Sequence, residues 1–165
     1  MGVDEADFYE AIASFKGASK RLEKIAEGKG KVAYKDFANS PSKVAATTKA
    51  VKEQYPNRTL VACLELHTYS SLNAEFLKEY EGALEYADMA VVFYSPDAVK
   101  IKQLEEVTYE QIAKAFNRED LIIYTNPAEF KTFLFNQNLE NSALLLMSSG
   151  NYGGLNFDEV KGLIE

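Results

Sequence analysis

The sequence predicts an α/β domain: an open, mostly parallel sheet with helices on both faces, opened by an N-terminal β-hairpin. Three observations carry that expectation. The runs LVACLEL (60–66), MAVVFY (89–94), LIIYT (121–125) and ALLLM (143–147) have strand length and almost no polar alternation. That is the pattern of strands covered on both faces. Segments with helical periodicity or helix-start residues separate these runs, so strand and helix alternate four times in succession. The chain has 165 residues, enough for one domain with a sizeable core, and it shows no linker, repeat or low-complexity segment.

The elements follow in order. Residues 4–15 read as a helix, with Phe8, Ile12 and Phe15 on one face, Asp4 in the N-cap position and Gly17 as the stop. RLEKIAEGKGKVAYKD (21–36) reads as the hairpin, with GKG at its turn. Ser40 or Ser42 caps the next helix, Pro41 lies in its first turn, and PNR at 56–58 breaks it. A helix over 73–86 follows LVACLEL. SPDAV (95–99) reads as a turn, and a short helix covers 109–116. Pro127 starts a helix to about residue 136, and the last helix covers 158–164. Right-handed crossovers are expected between the parallel strands.

In open α/β sheets the working loops lie at the carboxyl ends of the strands. Three polar clusters fall there: KDFANSP (35–41), HTYSS (67–71) and SSGNYGG (148–154). They are expected to converge on one rim.

Composition narrows the function classes. A net charge of −7 argues against nucleic acid as the main partner. No apolar run reaches the ~18 residues that would cross a bilayer. The acidic, amphipathic start is not a signal peptide. Cys63 is the single cysteine and sits inside an apolar run, so disulfides are excluded, and a reducing, cytoplasmic location is expected. The charge is uneven. Residues 16–58 hold eleven Lys/Arg against four Asp/Glu, and residues 59–165 hold seven against seventeen. This pattern fits solvated helix faces first; the sharper reading is a basic third that meets an anion such as a nucleotide.

No complete active site can be argued from the residues. His67 is the only histidine, and a lone histidine at a strand end is more often structural than catalytic. No Ser–His–Asp or Cys–His set and no zinc cluster is apparent. GKGK (28–31) lacks the spacing of a phosphate loop and leads into a strand. SSGNYGG precedes a helix and could offer backbone N–H groups to an anion, or it is a tight turn.

The order and spacing of four motifs resemble one family. FKGASKRLE (15–23), VAYKDFANSP (32–41), LVACLELHTYSSL (60–72) and LLLMSSGNYGGL (144–155) look like the C-terminal domain of the Mur ligases. The resemblance covers nearly the whole chain. It implies the Rossmann-like third domain of an ATP-dependent, amide-forming enzyme of peptidoglycan metabolism, excised from a longer three-domain protein. The implied partners are UDP-N-acetylmuramate, an amino acid or peptide, and the enzyme's own N-terminal and central domains. The implied cofactors are ATP and Mg2+, held mainly by the central domain, so this part alone is expected to be inactive and to carry no catalytic or metal residue. Arg21 matches the family's F-x-G-x-x-x-R arginine and Asp36 the aspartate of D-[YF]-A-H-x-P. Both would contact ATP, the aspartate at the ribose, with Asn39 and Ser40 lining the cleft. Asn39 replaces the usual histidine and cannot titrate near neutral pH. His67, Tyr69, Ser70 and Ser71 would face the incoming amine substrate, and Asn151 and Tyr152 would close the rim.

Within the family, members that add L-alanine typically carry arginines where this chain has Thr68 and Ser71. Members that attach the tripeptide L-alanyl-γ-D-glutamyl-meso-diaminopimelate in murein recycling look more like Cys63–Glu65 and Met147–Gly154. The resemblance therefore favours the tripeptide. L-alanine addition, or a non-catalytic module that binds a small anion, remains the alternative.

Overall fold

The computed structural model describes residues 21–165; the helix read over 4–15 lies outside them. Six strands form one sheet in the order β1-β2-β6-β3-β4-β5. They are β1 (Glu23–Gly28), β2 (Lys31–Asp36), β3 (Thr59–Glu65), β4 (Met89–Phe93), β5 (Ile122–Tyr124) and β6 (Ser142–Met147). β1 and β2 pair antiparallel as the expected hairpin, and every other pairing is parallel. Gly30 closes the hairpin at φ +73°, a region where glycine pays no steric penalty.

Two cores explain the continuous apolar runs. Leu60, Ala62 and Leu64 of β3 pack on one face of the sheet. There they meet α1 (Pro41–Gln54), α2 (Ala74–Leu77), α3 (Pro96–Ile101) and α4 (Tyr109–Phe116). Val61 and Cys63 point the other way, into a core with α5 (Pro127–Phe135) and α6 (Phe157–Ile164). A strand buried on both faces has no solvent side on which to place polar residues. Burial pushes the Cys63 thiol up to about 12, so it is a packing residue and not a nucleophile.

Ser40 and Pro41 start α1 as the sequence predicts, and Val44, Thr48 and Val51 bury its inner stripe. Two expectations fail locally. The helix read over 73–86 is a single α-turn, a 3-10 turn at Lys78–Tyr80, and then turns. Gly82 sits there at φ +73°, and Tyr80 is drawn into the core, where its ring stacks on Phe116 at 5.2 Å. SPDAV, read as a turn, begins helix α3. Ser95 caps the Ala98 N–H and Pro96 occupies the first turn.

At the amino end of β3, Asp88 accepts from the Leu60 N–H and the Lys52 ammonium, both at 2.7 Å. Partial burial opposes ionisation there. The Leu60 N–H, Lys52 and Arg118 outweigh it and hold the Asp88 carboxyl below its usual range. A lowered carboxyl pKa contributes stability above the unfolded value and loses it as pH falls through the folded one. Asp88→Asn is thus expected to be less stable than the wild type at pH 7. The gap should close below about pH 4, read from urea midpoints at both pH values.

Candidate functional site

β2, β6 and β3 are adjacent, and their carboxyl ends are level. Asp36 pairs with Met147, and Met147 with Leu64. The three polar loops therefore meet at one rim, as the strand order requires.

At the β2 corner, Asp36 is half-buried. Its Oδ1 accepts from the Ala38 N–H at 2.6 Å and its Oδ2 from the Leu22 N–H at 2.5 Å. A carboxylate offers about four lone-pair positions, so outward-facing acceptors remain. Arg21 and Asp36 line one cleft of about 430 Å³, together with Phe37 and Lys43. Asp36 and Phe37 also border a cavity of about 220 Å³ on the opposite face, with Ser149 and Phe157. Ser40 is the N-cap of α1, and its hydroxyl makes no capping bond. The Asn39 carbonyl accepts from the buried Tyr80 hydroxyl, which ties this corner to the core.

The centre of the rim is organised by Glu65, which the sequence reading did not single out as a site residue. Its side chain closes an apolar strand and is 4% exposed. Its Oε2 accepts from the Ser148 hydroxyl and from the Tyr152 N–H, the latter at 2.8 Å. Ser148 Oγ in turn accepts from the Gly150 N–H at 2.7 Å. His67 Nδ1 lies 3.6 Å from Glu65 Oε1. A side chain at Gly150 would crowd Glu65 Oε2 at 3.0 Å and the His67 ring at 3.1 Å, so glycine suits that approach. The signal in the sequence was a lone acid inside LVACLEL, because a buried carboxylate must be partnered.

This order of groups is not that of a nucleophilic triad. The serine proton points to the carboxylate, and the carboxylate separates serine from histidine, so the imidazole cannot take that proton. The cluster fixes a serine hydroxyl and an imidazole at the rim. Among the described residues, no group of three or more His, Cys, Asp or Glu side chains gathers to hold a metal ion.

The other expected contacts divide. Tyr69 and Ser70 are exposed on the rim and His67 is half-buried there. Ser71 is 1% exposed and exchanges hydrogen bonds with Thr68 at 3.0–3.1 Å; it shapes the turn and does not face the cleft. Tyr152 requires the same correction. It is 1% exposed, its ring stacks on Phe130 at 5.0 Å, and its hydroxyl lies 2.8 Å from both the Cys63 and Met147 carbonyls. Burial raises its phenol well above the ordinary range. Asn151 is exposed, and its side chain accepts from the Gly154 N–H.

Fold and rim define an α/β domain whose carboxyl-edge loops carry a half-buried carboxylate, Asp36, that shares a cleft with Arg21, next to a serine–carboxylate–histidine cluster. No protein-family model matches the chain. Over 134 residues it is 33% identical to the UDP-N-acetylmuramate–L-alanine ligase of Microcystis aeruginosa, covering 77% of this chain and 27% of that protein. In structure it resembles a murein peptide ligase of Psychrobacter arcticus, with a TM-score of 0.71, 18% identity, and coverage of 93% of this chain and 32% of that one. It also resembles a domain of Haemophilus ducreyi described as part of a UDP-N-acetylmuramate:L-alanyl-γ-D-glutamyl-diaminopimelate ligase. The TM-score there is 0.57 at 22% identity, over 87% of this chain and 99% of that one. The chain belongs to the Mur ligase family, in the region of its C-terminal domain. It matches between 15% and 35% of the length of its curated relatives.

Proposed function

We propose that this chain is the nucleotide-closing, amine-presenting domain of an ATP-dependent ligase acting on UDP-N-acetylmuramate. The observation that carries the reading is the convergence of Asp36, Ser148 and Glu65–His67 on three adjacent strand ends, with Arg21 sharing the Asp36 cleft. Asp36 would accept from the ribose hydroxyls, and Arg21 would donate to nearby oxygens. Ser40 and Asn39 border that corner. The central domain would supply the phosphate loop and magnesium, which neutralise charge as the muramate carboxylate becomes an acyl phosphate. At the rim of this domain, His67, Ser70, Tyr69 and Asn151 would orient the amine that attacks the acyl carbon, forming the amide as phosphate leaves. Such a ligase acts in the cytoplasm.

We assign the tripeptide as the amine substrate. Thr68 and Ser71 leave the β3 loop without the arginines expected of an L-alanine site, and the 147–154 loop resembles that of the tripeptide-adding members. L-alanine is the second reading, because the curated relatives carry that name.

The test is ADP release by the complete gene product with UDP-N-acetylmuramate, ATP and either amine. Turnover is expected with both substrates present, faster with the tripeptide, and none from the 165-residue chain alone. Faster turnover with L-alanine reverses the substrate assignment. No release with either amine overturns the ligase reading.

A further inference from the structure

Amide formation needs a proton to leave as well as a nucleophile to arrive. The α-amino group of a peptide titrates near 8, so at pH 7 roughly nine in ten are ammonium ions with no lone pair to give. A group at the rim that accepts this proton shortens the path to the amide, and the contacts of His67 fit it for that task. Glu65 divides its two oxygens. Oε2 accepts from the Ser148 hydroxyl and the Tyr152 N–H, which leaves Oε1 to face the imidazole, 3.6 Å from Nδ1. A bare Nδ1 lone pair would oppose the carboxylate's own, so the neutral ring carries its proton on Nδ1. The ring's Cγ and Cδ2 lie against Gly150, where a Cβ would meet them at 3.1 and 3.2 Å. Nε2, the nitrogen farther from the backbone, keeps its lone pair, and no hydrogen bond engages it among the described residues. The side chain is 42% exposed, so it opens on the rim and not into the core.

We infer that His67, oriented by Glu65, is the proton acceptor for the incoming ammonium, with Nε2 taking the proton as the amine attacks. The inference rests on the ligase reading above and deepens it. One ammonium N–H bond breaks and an Nε2–H bond forms. The freed lone pair forms the C–N bond at the acyl carbon, and phosphate leaves with the electrons of the C–O bond. The resulting imidazolium is held against the Glu65 carboxylate until it returns the proton to water. Glu65 is a positioning residue in this step, since it selects the tautomer and keeps its own charge. The 148–154 loop brings no ionisable group beyond the buried Tyr152 phenol, and residues 66–72 add only Tyr69 beside His67 itself. From the β4 side, Lys102 sits over the Tyr69 ring at 4.4 Å. Glu65 is therefore the anion that faces the imidazole among the described residues.

The test assays the complete gene product with UDP-N-acetylmuramate, ATP and Mg2+, offering either the tripeptide or hydroxylamine as acceptor. Hydroxylamine is already neutral at pH 7 and traps an acyl phosphate as the hydroxamate, so it needs no base to become a nucleophile. His67→Gln should lower kcat with the tripeptide about 10- to 100-fold at pH 7 and retain most hydroxamate formation. Its tripeptide rate should climb about tenfold per pH unit below about pH 8, as free amine appears, where the wild type is flatter. Glu65→Gln should show the same split in weaker form. Loss of both products to the same extent, or of neither, overturns the inference and leaves the ligase reading intact. A second measurement, on the 15N-labelled 165-residue chain, depends on no variant. The His67 ring should show a protonated Nδ1 and a bare Nε2 at about pH 8. The tripeptide, added to about 10 mM, should shift Nε2 and the His67 and Gly150 amides. A proton on Nε2 in place of Nδ1 overturns the inference whatever the variants do. A wild-type enzyme that forms neither amide nor hydroxamate overturns the ligase reading, and the inference falls with it.

Discussion

Glu65→Ala is expected to lower stability by about 3 kcal/mol, because it leaves the Ser148 hydroxyl and the Tyr152 N–H facing a carboxylate that has gone. Both donors are at or next to buried backbone, and water does not replace the lost acceptor without opening the loop. For a domain of this size the change corresponds to a fall of roughly 10 °C in Tm. Glu65→Gln keeps the shape and one oxygen, and is expected to cost about 1 kcal/mol. The two variants separate the carboxylate's bonds from its bulk. A double-mutant cycle with Ser148→Ala should be strongly non-additive, since both changes remove the same bond. Thermal and urea melts of the four proteins measure it. If Glu65→Ala loses less than about 0.5 kcal/mol, the 148–154 loop is held by its own turns, and Glu65 does not organise the rim.

The same carboxylate shows where the sequence was legible and where it was not. The sheet, the hairpin and the convergence of three loops were readable, because double-sided burial leaves an unbroken apolar run and strand ends leave polar clusters. LVACLEL, however, reads as one apolar run, and its single acid, Glu65, has no local signature of its donors. The two hydrogen-bond donors to Glu65 lie 83 and 87 positions away in the chain, so no local spacing announces them. The segment 73–86 departs from the expected helix for the complementary reason. Helical propensity favoured a continuous helix, but burying Tyr80 against Phe116 and turning at Gly82 wins over propensity in that stretch. Ser71 looked like one more hydroxyl at the rim. Its partner Thr68 is three positions away, and an inward-facing Ser/Thr turn was a local alternative with the same composition.

Tyr152 is the residue whose reassignment has the largest consequence. Set among Ser, Asn and Gly, it reads as the exposed tip of a loop. In the fold it is the loop's anchor. Its backbone adopts φ +53°, a left-handed conformation that costs a residue with a Cβ about 1–2 kcal/mol. That cost is offset by burying an aromatic ring against Phe130 and Phe93 and by the two carbonyls its hydroxyl meets. Tyr152→Ala is expected to cost about 4 kcal/mol, since a large cavity opens between α5 and the sheet and the strained turn loses what holds it. Tyr152→Phe keeps the ring and should cost only about 1 kcal/mol. The pair also tests function. If the hydroxyl serves the core, Tyr152→Phe binds the acceptor as the wild type does, with unchanged shifts at His67 and Gly150. If Tyr152→Phe folds normally but loses acceptor binding, the phenol reaches the cleft when substrate is present, and the rim role read from the sequence is restored.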